Sequence, residues 1–269
     1  VEVVDPQPVA QRQVMRREGK IGQGGKAFLW RAIDLHDPLS PVVFCGIMAR
    51  KHGAGKGIGM GFVKWYDEHV VPRFIQCACS SPAIMKMREK VVPLASGKVF
   101  EIGCGGGINQ PLYDHAKVTS FAGMDPSAKG LDYTREAVAN SGWQADIRQG
   151  FGEAIPFEDE SFDTVVCTFT LCSVCDQMQT VRELRRILKP GGRLLYAEHG
   201  RAPDAGVQKW QNRIEPLWKK LAGGCHLTRP VSSAIAQQGF AMNVLGQRYA
   251  PKMPRFAGWM EWGEAVKAG

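Results

Sequence analysis

The spacing of apolar positions switches repeatedly along this chain, and each switch predicts an element. From Met60, Phe62, Tyr66, Val70 and Phe74 recur every four residues, which predicts one apolar helix face, broken or kinked at Pro72. Ser81-Pro82 reads as an N-cap and first helical residue. Ile84, Met87/Arg88 and Val91 follow on one face, and Pro93 lies beyond the end. A continuous apolar run then predicts a buried strand at 98–102, with a helix starting near Gly107. Further strands are expected at 118–124, 144–149, 164–170 and 193–198. Between them, helices are predicted over about 127–141, with Leu131, Thr134, Ala137 and Val138 inward, and after Asp176, a candidate cap, with Met178, Val181, Leu184, Ile187 and Leu188 inward. Lys189-Pro190-Gly191-Gly192 is a turn suited to glycine. Trp210, Ile214, Leu217, Trp218 and Leu221 predict a helix burying that stripe, and Thr228 a cap for another with Pro230 in its first turn. Phe240–Tyr249 and Phe256–Val266 read as two closing strands. Strands alternating with helices predict an α/β fold with a mainly parallel sheet.

Residues 1–59 lack this patterning. They are rich in Gly, Pro, Gln and basic side chains, and HGAGKGIGMG at 52–61 follows no phosphate-loop spacing, because Gly57 follows Lys56 where Ser or Thr is required. Lys56-Gly57 is encoded by bases resembling a bacterial ribosome-binding sequence just before the Met60 codon. The expectation is therefore a poorly structured extension, 1–59, outside the working enzyme, with a partner-binding arm as the alternative. The working domain is 60–269, with N-terminal helices at 60–96, a ligand-binding core at 97–200 and substrate-side elements at 201–269.

Composition narrows the function. The chain has 269 residues and a net charge of +8, of which residues 1–59 carry +4. The remaining 210 residues are only mildly basic and show no Lys/Arg stripe with interleaved aromatics, so nucleic acid is not expected as a partner. No apolar run reaches the 18 residues that suggest a membrane helix, and no secretory signal pattern opens the chain. The eight cysteines read as reduced thiols of a cytoplasmic protein. No metal is expected: Cys167 lies inside a predicted strand, and no C-x2-C pair is matched by a second one.

The chemistry centres on KVFEIGCGGG at 98–107, a strand opening into a glycine cluster where backbone can approach a ligand. Asp125, after the second apolar run, is placed to accept both hydroxyls of an adenosine ribose, or to cap the next helix. With E-x-G-x-G-x-G, FAGMDPS, IPFEDESFDTVVCTFTL (155–171) and LKPGGRLLYAEHG (188–200) in this order, residues 60–269 resemble the class I S-adenosylmethionine-dependent methyltransferases. The resemblance implies a Rossmann-like, seven-stranded, mostly parallel sheet with an antiparallel last strand. It implies S-adenosylmethionine as cofactor, held by Glu101, Gly103, Cys104, Gly105 and Gly107 in the loop and by Asp125 and Pro126 beyond the second strand. Thr168 and Phe169 are expected at the end of the fourth strand. Many relatives use an Asp on the adenine amino group where this chain has Phe151, which leaves adenine to Phe151, Gly152 and Glu153.

CTFTLCSV (167–174), AEHG (197–200), GGCHLTRP (223–230) and RFAGWMEWGEAVK resemble the methyltransferase-like 7 proteins, which methylate small thiols. This implies a small-molecule thiol acceptor; a lipid or quinone head group is the alternative, and a non-catalytic S-adenosylmethionine-binding module the alternative of another class. His199 and His226 are the candidate bases, each with a structural account as well, at a strand end and in a loop. Arg229 and Cys172 are candidates for the substrate side, with Trp65, Tyr66 and His69 in its wall. The animal members of that branch carry a hydrophobic leader that this sequence lacks. Peripheral membrane contact and the oligomeric state are left open.

Overall fold

The computed structural model describes residues 81–269 apart from Gln144, and the backbone of two short strands nearer the N-terminus. The chain divides into two compact units, Val1–Ala54 and Gly55–Gly269. In the first, Met15–Arg17 pairs antiparallel with Trp30–Ala32, an element the patterning does not announce. The expected helix over 60–80, with Trp65, Tyr66 and His69, lies outside the described residues.

The second unit is built on a seven-stranded sheet. In chain order its elements are α1 (Pro82–Val91), β1 (Gly97–Ile102), β2 (Val118–Asp125), α2 (Ala128–Ala139), β3 (Ala145–Gln149), β4 (Phe162–Thr168), α3 (Gln177–Ile187), β5 (Leu188–His199), α4 (Ala205–Leu221), α5 (Val231–Gln237), β6 (Phe240–Tyr249) and β7 (Trp259–Lys267). The strand order is β3-β2-β1-β4-β5-β7-β6. The first five strands pair in parallel, and β7 runs antiparallel to both β5 and β6. The order reverses direction at β1, between β2 and β4, and ligands bind outside the carboxyl ends of strands at such a point.

Alternation along each strand sorts the core into two layers. Phe100, Ile102, Val165, Cys167, Leu194 and Tyr196 pack on the face covered by α3 and α5. Val99, Val166, Leu195, Met260 and Trp262 pack on the face covered by α1, whose Ile84, Met87, Arg88 and Val91 are buried as the spacing predicts. The same parity places Glu101 and Thr168 toward α1, and Glu198 on the opposite face. Among the described residues no helix is long and apolar enough to cross a membrane.

Several boundaries differ from the periodicity, each for a local reason. Instead of a helix at Gly107 there are turns and a single 3-10 turn, Gln110–Leu112, carrying Pro111. β4 spans 162–168 rather than 164–170: Phe162 pairs with Leu188, and Phe169 takes a left-handed backbone, φ 54°. The Lys189–Gly192 turn exists as a bulge inside β5; the ladder breaks after Leu188 and resumes at Arg193, with Gly191 at φ 73°. Phe256 belongs to a helical turn, Arg255–Gly258, so the last strand starts at Trp259. Thr228 does not cap α5, whose N-cap is Pro230. On α4 the predicted stripe splits: Trp210 (59%) and Leu217 (61%) are exposed, while Ile214 and Trp218 are half-buried and Trp218 packs edge-on against Phe256. The buried residue there is Gln211, whose amide donates to the carbonyls of Gly200 and Phe256 and accepts from Ala202 N–H. Polar anchoring through Gln211 joins this partial apolar packing in docking the helix.

Candidate active site

The glycine loop is shaped by positive φ at Gly103 (69°), Gly105 (38°) and Gly107 (69°), a region side chains with a Cβ avoid. The amides of Gly103 and Cys104 both donate to Met124 O, which fastens the loop to the end of β2. Gly105 N–H donates to Asp125 Oδ2 at 3.0 Å, and Ser127 N–H to Asp125 Oδ1 at 2.8 Å. Thr134 of α2 donates to the carbonyls of Cys104 and Gly105, so loop, helix and carboxylate are one assembly. A Cβ on Gly105 would lie 3.4 Å from Asp125 Oδ2. A side chain would fit there at ordinary contact distance, so glycine is required by the positive φ, and each carboxylate oxygen keeps a further lone pair. That arrangement fits an adenosine cofactor: a backbone bed beside an acceptor for ribose hydroxyls. Burial raises the Asp125 pKa, with the two amides opposing. Cys104 is buried against Gly123, and burial pushes its thiol up, a packing role. Pro126 O accepts from Gln149 Nε2 at 2.9 Å.

Beneath the loop lies a polar network that the sequence reading did not assemble. Glu101 Oε1 accepts from Asn109 Nδ2 at 2.8 Å, and its Oε2 from the Tyr113 hydroxyl at 2.7 Å. Arg88 Nη1 donates to Asn109 Oδ1 at 2.8 Å and to Thr168 Oγ1 at 2.6 Å, and its guanidinium lies over the Phe169 ring. Burial raises the Glu101 pKa, while Tyr113, Arg88 and Asn109 pull it back. Glu101 therefore acts by bracing the loop from below. The available signal was Arg88, a charged residue on the apolar face of a predicted helix.

The stretch after β3 is committed largely to packing. A Cβ on Gly152 would meet Ile102 and Thr180 at 2.7 Å. Glu153 Oε1 accepts from Asp176 N–H at 2.9 Å, at the N-terminus of α3, where Asp176 in turn caps Gln179 N–H. Phe151 stays partly exposed beside them.

At the carboxyl ends of β4 and β5 a second cluster forms. Glu198 Oε1 accepts from the amides of Thr170 (2.8 Å) and Leu171 (3.0 Å), and burial lifts the Glu198 pKa to about 8. His199 Nε2 lies 2.7 Å from Cys225 Sγ, and Cys172 completes a triangle of ligand atoms all within 4.8 Å of one another. The hydrogen bond from Cys225, with His199 behind it, holds the Cys172 thiol well below its ordinary range despite burial. Burial opposes protonation of His199, but Cys172 beside it raises the imidazole pKa on balance.

His226 stands apart from that triangle. Its Nδ1 faces Glu215 Oε1 at 2.8 Å, and burial and then Arg229 lower its pKa. Arg229 donates to the carbonyls of Leu171 and Val174, both at 2.6 Å, so it clamps the segment carrying Cys172. Cys175 is disulfide-bonded, which corrects the expectation of eight reduced thiols; Cys104, Cys167, Cys172 and Cys225 are free.

The methyltransferase-domain family matches residues 100–196. Human thiol S-methyltransferase TMT1A is 32% identical over 170 residues, 61% of this chain and 68% of that protein. The chain belongs to the class I S-adenosylmethionine-dependent methyltransferases. The TMT1B thiol S-methyltransferases of rat, human and mouse are 35–38% identical, but the match spans only 57–62% of their length and 50–54% of this chain. The ubiquinone biosynthesis O-methyltransferase of Pseudomonas putida is 32% identical over 61% of this chain and 69% of that protein. Among solved structures, Bacillus subtilis YcgJ superposes with a TM-score of 0.53 at 16% identity, covering 70% of this chain and 98% of that one, a likeness of fold. The last strand of the chain, β7, lies antiparallel between β5 and the edge strand β6, and the cofactor of this family is S-adenosylmethionine.

Proposed function

We propose that this methyltransferase transfers the methyl group of S-adenosylmethionine to the sulfur of a small thiol. The observation that carries the reading is the Cys172–His199–Cys225 cluster at the carboxyl ends of β4 and β5, one wall away from the glycine loop: the side chain of Thr170 backs onto Gly103. The names of the TMT1A and TMT1B relatives support it. Bound cofactor supplies an electrophilic methyl group and a sulfide leaving group. The chain's part is to hold and align. Gly103 and Gly107 let the loop pack against Thr170 and α2, Gly105 leaves backbone beside Asp125 for the cofactor, and Asp125 accepts from its ribose. Phe151 offers an apolar surface to the adenine. Cys172, His199 and His226 border the acceptor, and Arg229 fixes the segment that carries Cys172. A free thiol with a pKa near 8.5 is a few per cent thiolate at neutral pH, so modest assistance suffices. A cytoplasmic setting belongs to the proposal; Cys104, Cys167, Cys172 and Cys225, free among the described residues, favour it, and the Cys175 disulfide counts against it.

A quinol or lipid head group is the second reading, favoured by the exposed Trp210, Leu217 and Leu221 on α4 and by the ubiquinone-biosynthesis relative. Release of S-adenosylhomocysteine from a panel of alkyl thiols, quinols and phospholipids separates them. The thiol reading expects turnover with alkyl thiols that rises with pH toward the thiol's own pKa. A chain that binds cofactor yet methylates none of them between pH 7 and 9 refutes it.

A further inference from the structure

Cys172, His199 and Cys225 come from three separate segments, 27 and 26 residues apart, so no linear metal motif announces them. The fold nonetheless converges their ligand atoms to within 4.8 Å. Each is held from behind. Cys172 follows the turn whose Thr170 and Leu171 amides are bound by Glu198, and its own carbonyl accepts from His226 N–H at 2.8 Å. That bond fixes the residue next to Cys225. His199 ends β5, paired with Met260. Arg229 grips the carbonyls on either side of Cys172.

We propose that these three side chains bind a zinc ion and leave its fourth position to the sulfur of the acceptor. The acceptor half of this rests on the thiol reading above; the metal half does not. Two sulfurs and an imidazole are a soft ligand set that selects zinc over magnesium or calcium. Zn–S near 2.3 Å and Zn–N near 2.1 Å place tetrahedral ligand atoms about 3.5–3.8 Å apart, inside the observed limit. The His199–Cys225 approach of 2.7 Å is shorter, so an ion enters by parting those two side chains. Three protein ligands with one open position is the pattern of a zinc site that does chemistry, whereas structural sites close with four. Cys172 is buried while His199 and Cys225 are partly exposed, so the cluster is open to small molecules on their side.

The step balances without redox change. The acceptor thiol binds zinc through sulfur and releases its proton to water. A lone pair of the bound thiolate forms the new S–CH3 bond, and the old C–S bond breaks with its electrons remaining on the departing sulfide. The product is a neutral thioether, a poor zinc ligand, which dissociates.

The full chain, produced with zinc in the medium and purified without chelator, should hold about one zinc per molecule. Cys172→Ser and Cys225→Ser should each lose it, and Cys167→Ala, at a free buried thiol of β4, should keep it, with circular dichroism and S-adenosylmethionine binding reporting that each variant is folded. Replacing the metal of the unaltered chain with Co(II) should give the intense red-region bands of a tetrahedral thiolate site, and adding an alkyl thiol should shift them. Retention of zinc by folded Cys172→Ser overturns the proposal. So does a metal-free chain with a Cys172–Cys225 disulfide found by peptide mass, or full thiol methylation that a strong chelator leaves untouched; the last leaves the thiol reading standing. Stoichiometric zinc at these residues with cobalt bands that ignore every thiol overturns the acceptor half while the metal half stands; the thiol reading falls only if no thiol is methylated.

Discussion

Replacing Asp125 by Ala should weaken S-adenosylmethionine binding about 10- to 150-fold, for reasons that can be counted at the site. Its two oxygens take one backbone amide each, from Gly105 at 3.0 Å and Ser127 at 2.8 Å. Both bonds are to a charged acceptor, but both donors lie where water can replace it, so their loss stays at the low end for such bonds, about 1 kcal/mol each, and falls on loop order. The ribose hydroxyls lose an ionised acceptor in a partly buried place, about 1.5–3 kcal/mol, and at 1.4 kcal/mol per decade that is the stated range in Kd. Asp125→Asn keeps the shape but presents an N–H where an acceptor stood, and should fall between the two. Titration calorimetry with S-adenosylmethionine and S-adenosylhomocysteine reads the affinity, and thermal unfolding reads the loop. An Asp125→Ala chain that is folded and binds within about twofold of the parent would remove the carboxylate from the cofactor site.

Gly103→Ala should abolish cofactor binding while leaving a folded chain, because φ is 69° and the new Cβ would run into Thr170; undiminished binding in calorimetry contradicts the loop geometry. Arg88→Met removes the donor shared by Asn109 and Thr168 and leaves Glu101 with less compensation, so urea unfolding should show a loss of about 3–5 kcal/mol, and a loss below about 1 kcal/mol would show the network to be incidental. A chain starting at Met60 should retain turnover; collapse of activity would make residues 1–59 part of the enzyme.

What the sequence disclosed was whatever is local. The buried strands announce themselves as runs of β-branched and apolar residues, and the Asp176 cap needs only Gln179 three residues on. The glycine loop is legible for the same reason, since its strand, turn and Asp125 follow one another. The Arg88 network was not, because its members lie up to 80 residues apart and meet only when α1 lies across β1 and β4. Likewise Cys172, His199 and Cys225 look unrelated until β4, β5 and the loop before α5 bring their ends together. The α4 stripe misled because periodicity reports a face without saying what anchors it, and here Gln211 does.

The place of β7 between β5 and β6 sets an order of events at the ribosome. Strands β1 to β5 can pair as they emerge, each beside a partner already made. β6 emerges next and finds no neighbour, because the strand that joins it to the sheet, β7, follows it out. Until residues 259–267 are out, β5 keeps a bare edge and β6 is a strand without a sheet. Such edges are templates for pairing with another chain. The chain is therefore most exposed to aggregation at the last stage of making the sheet, and truncation after Tyr249 should leave both edges bare.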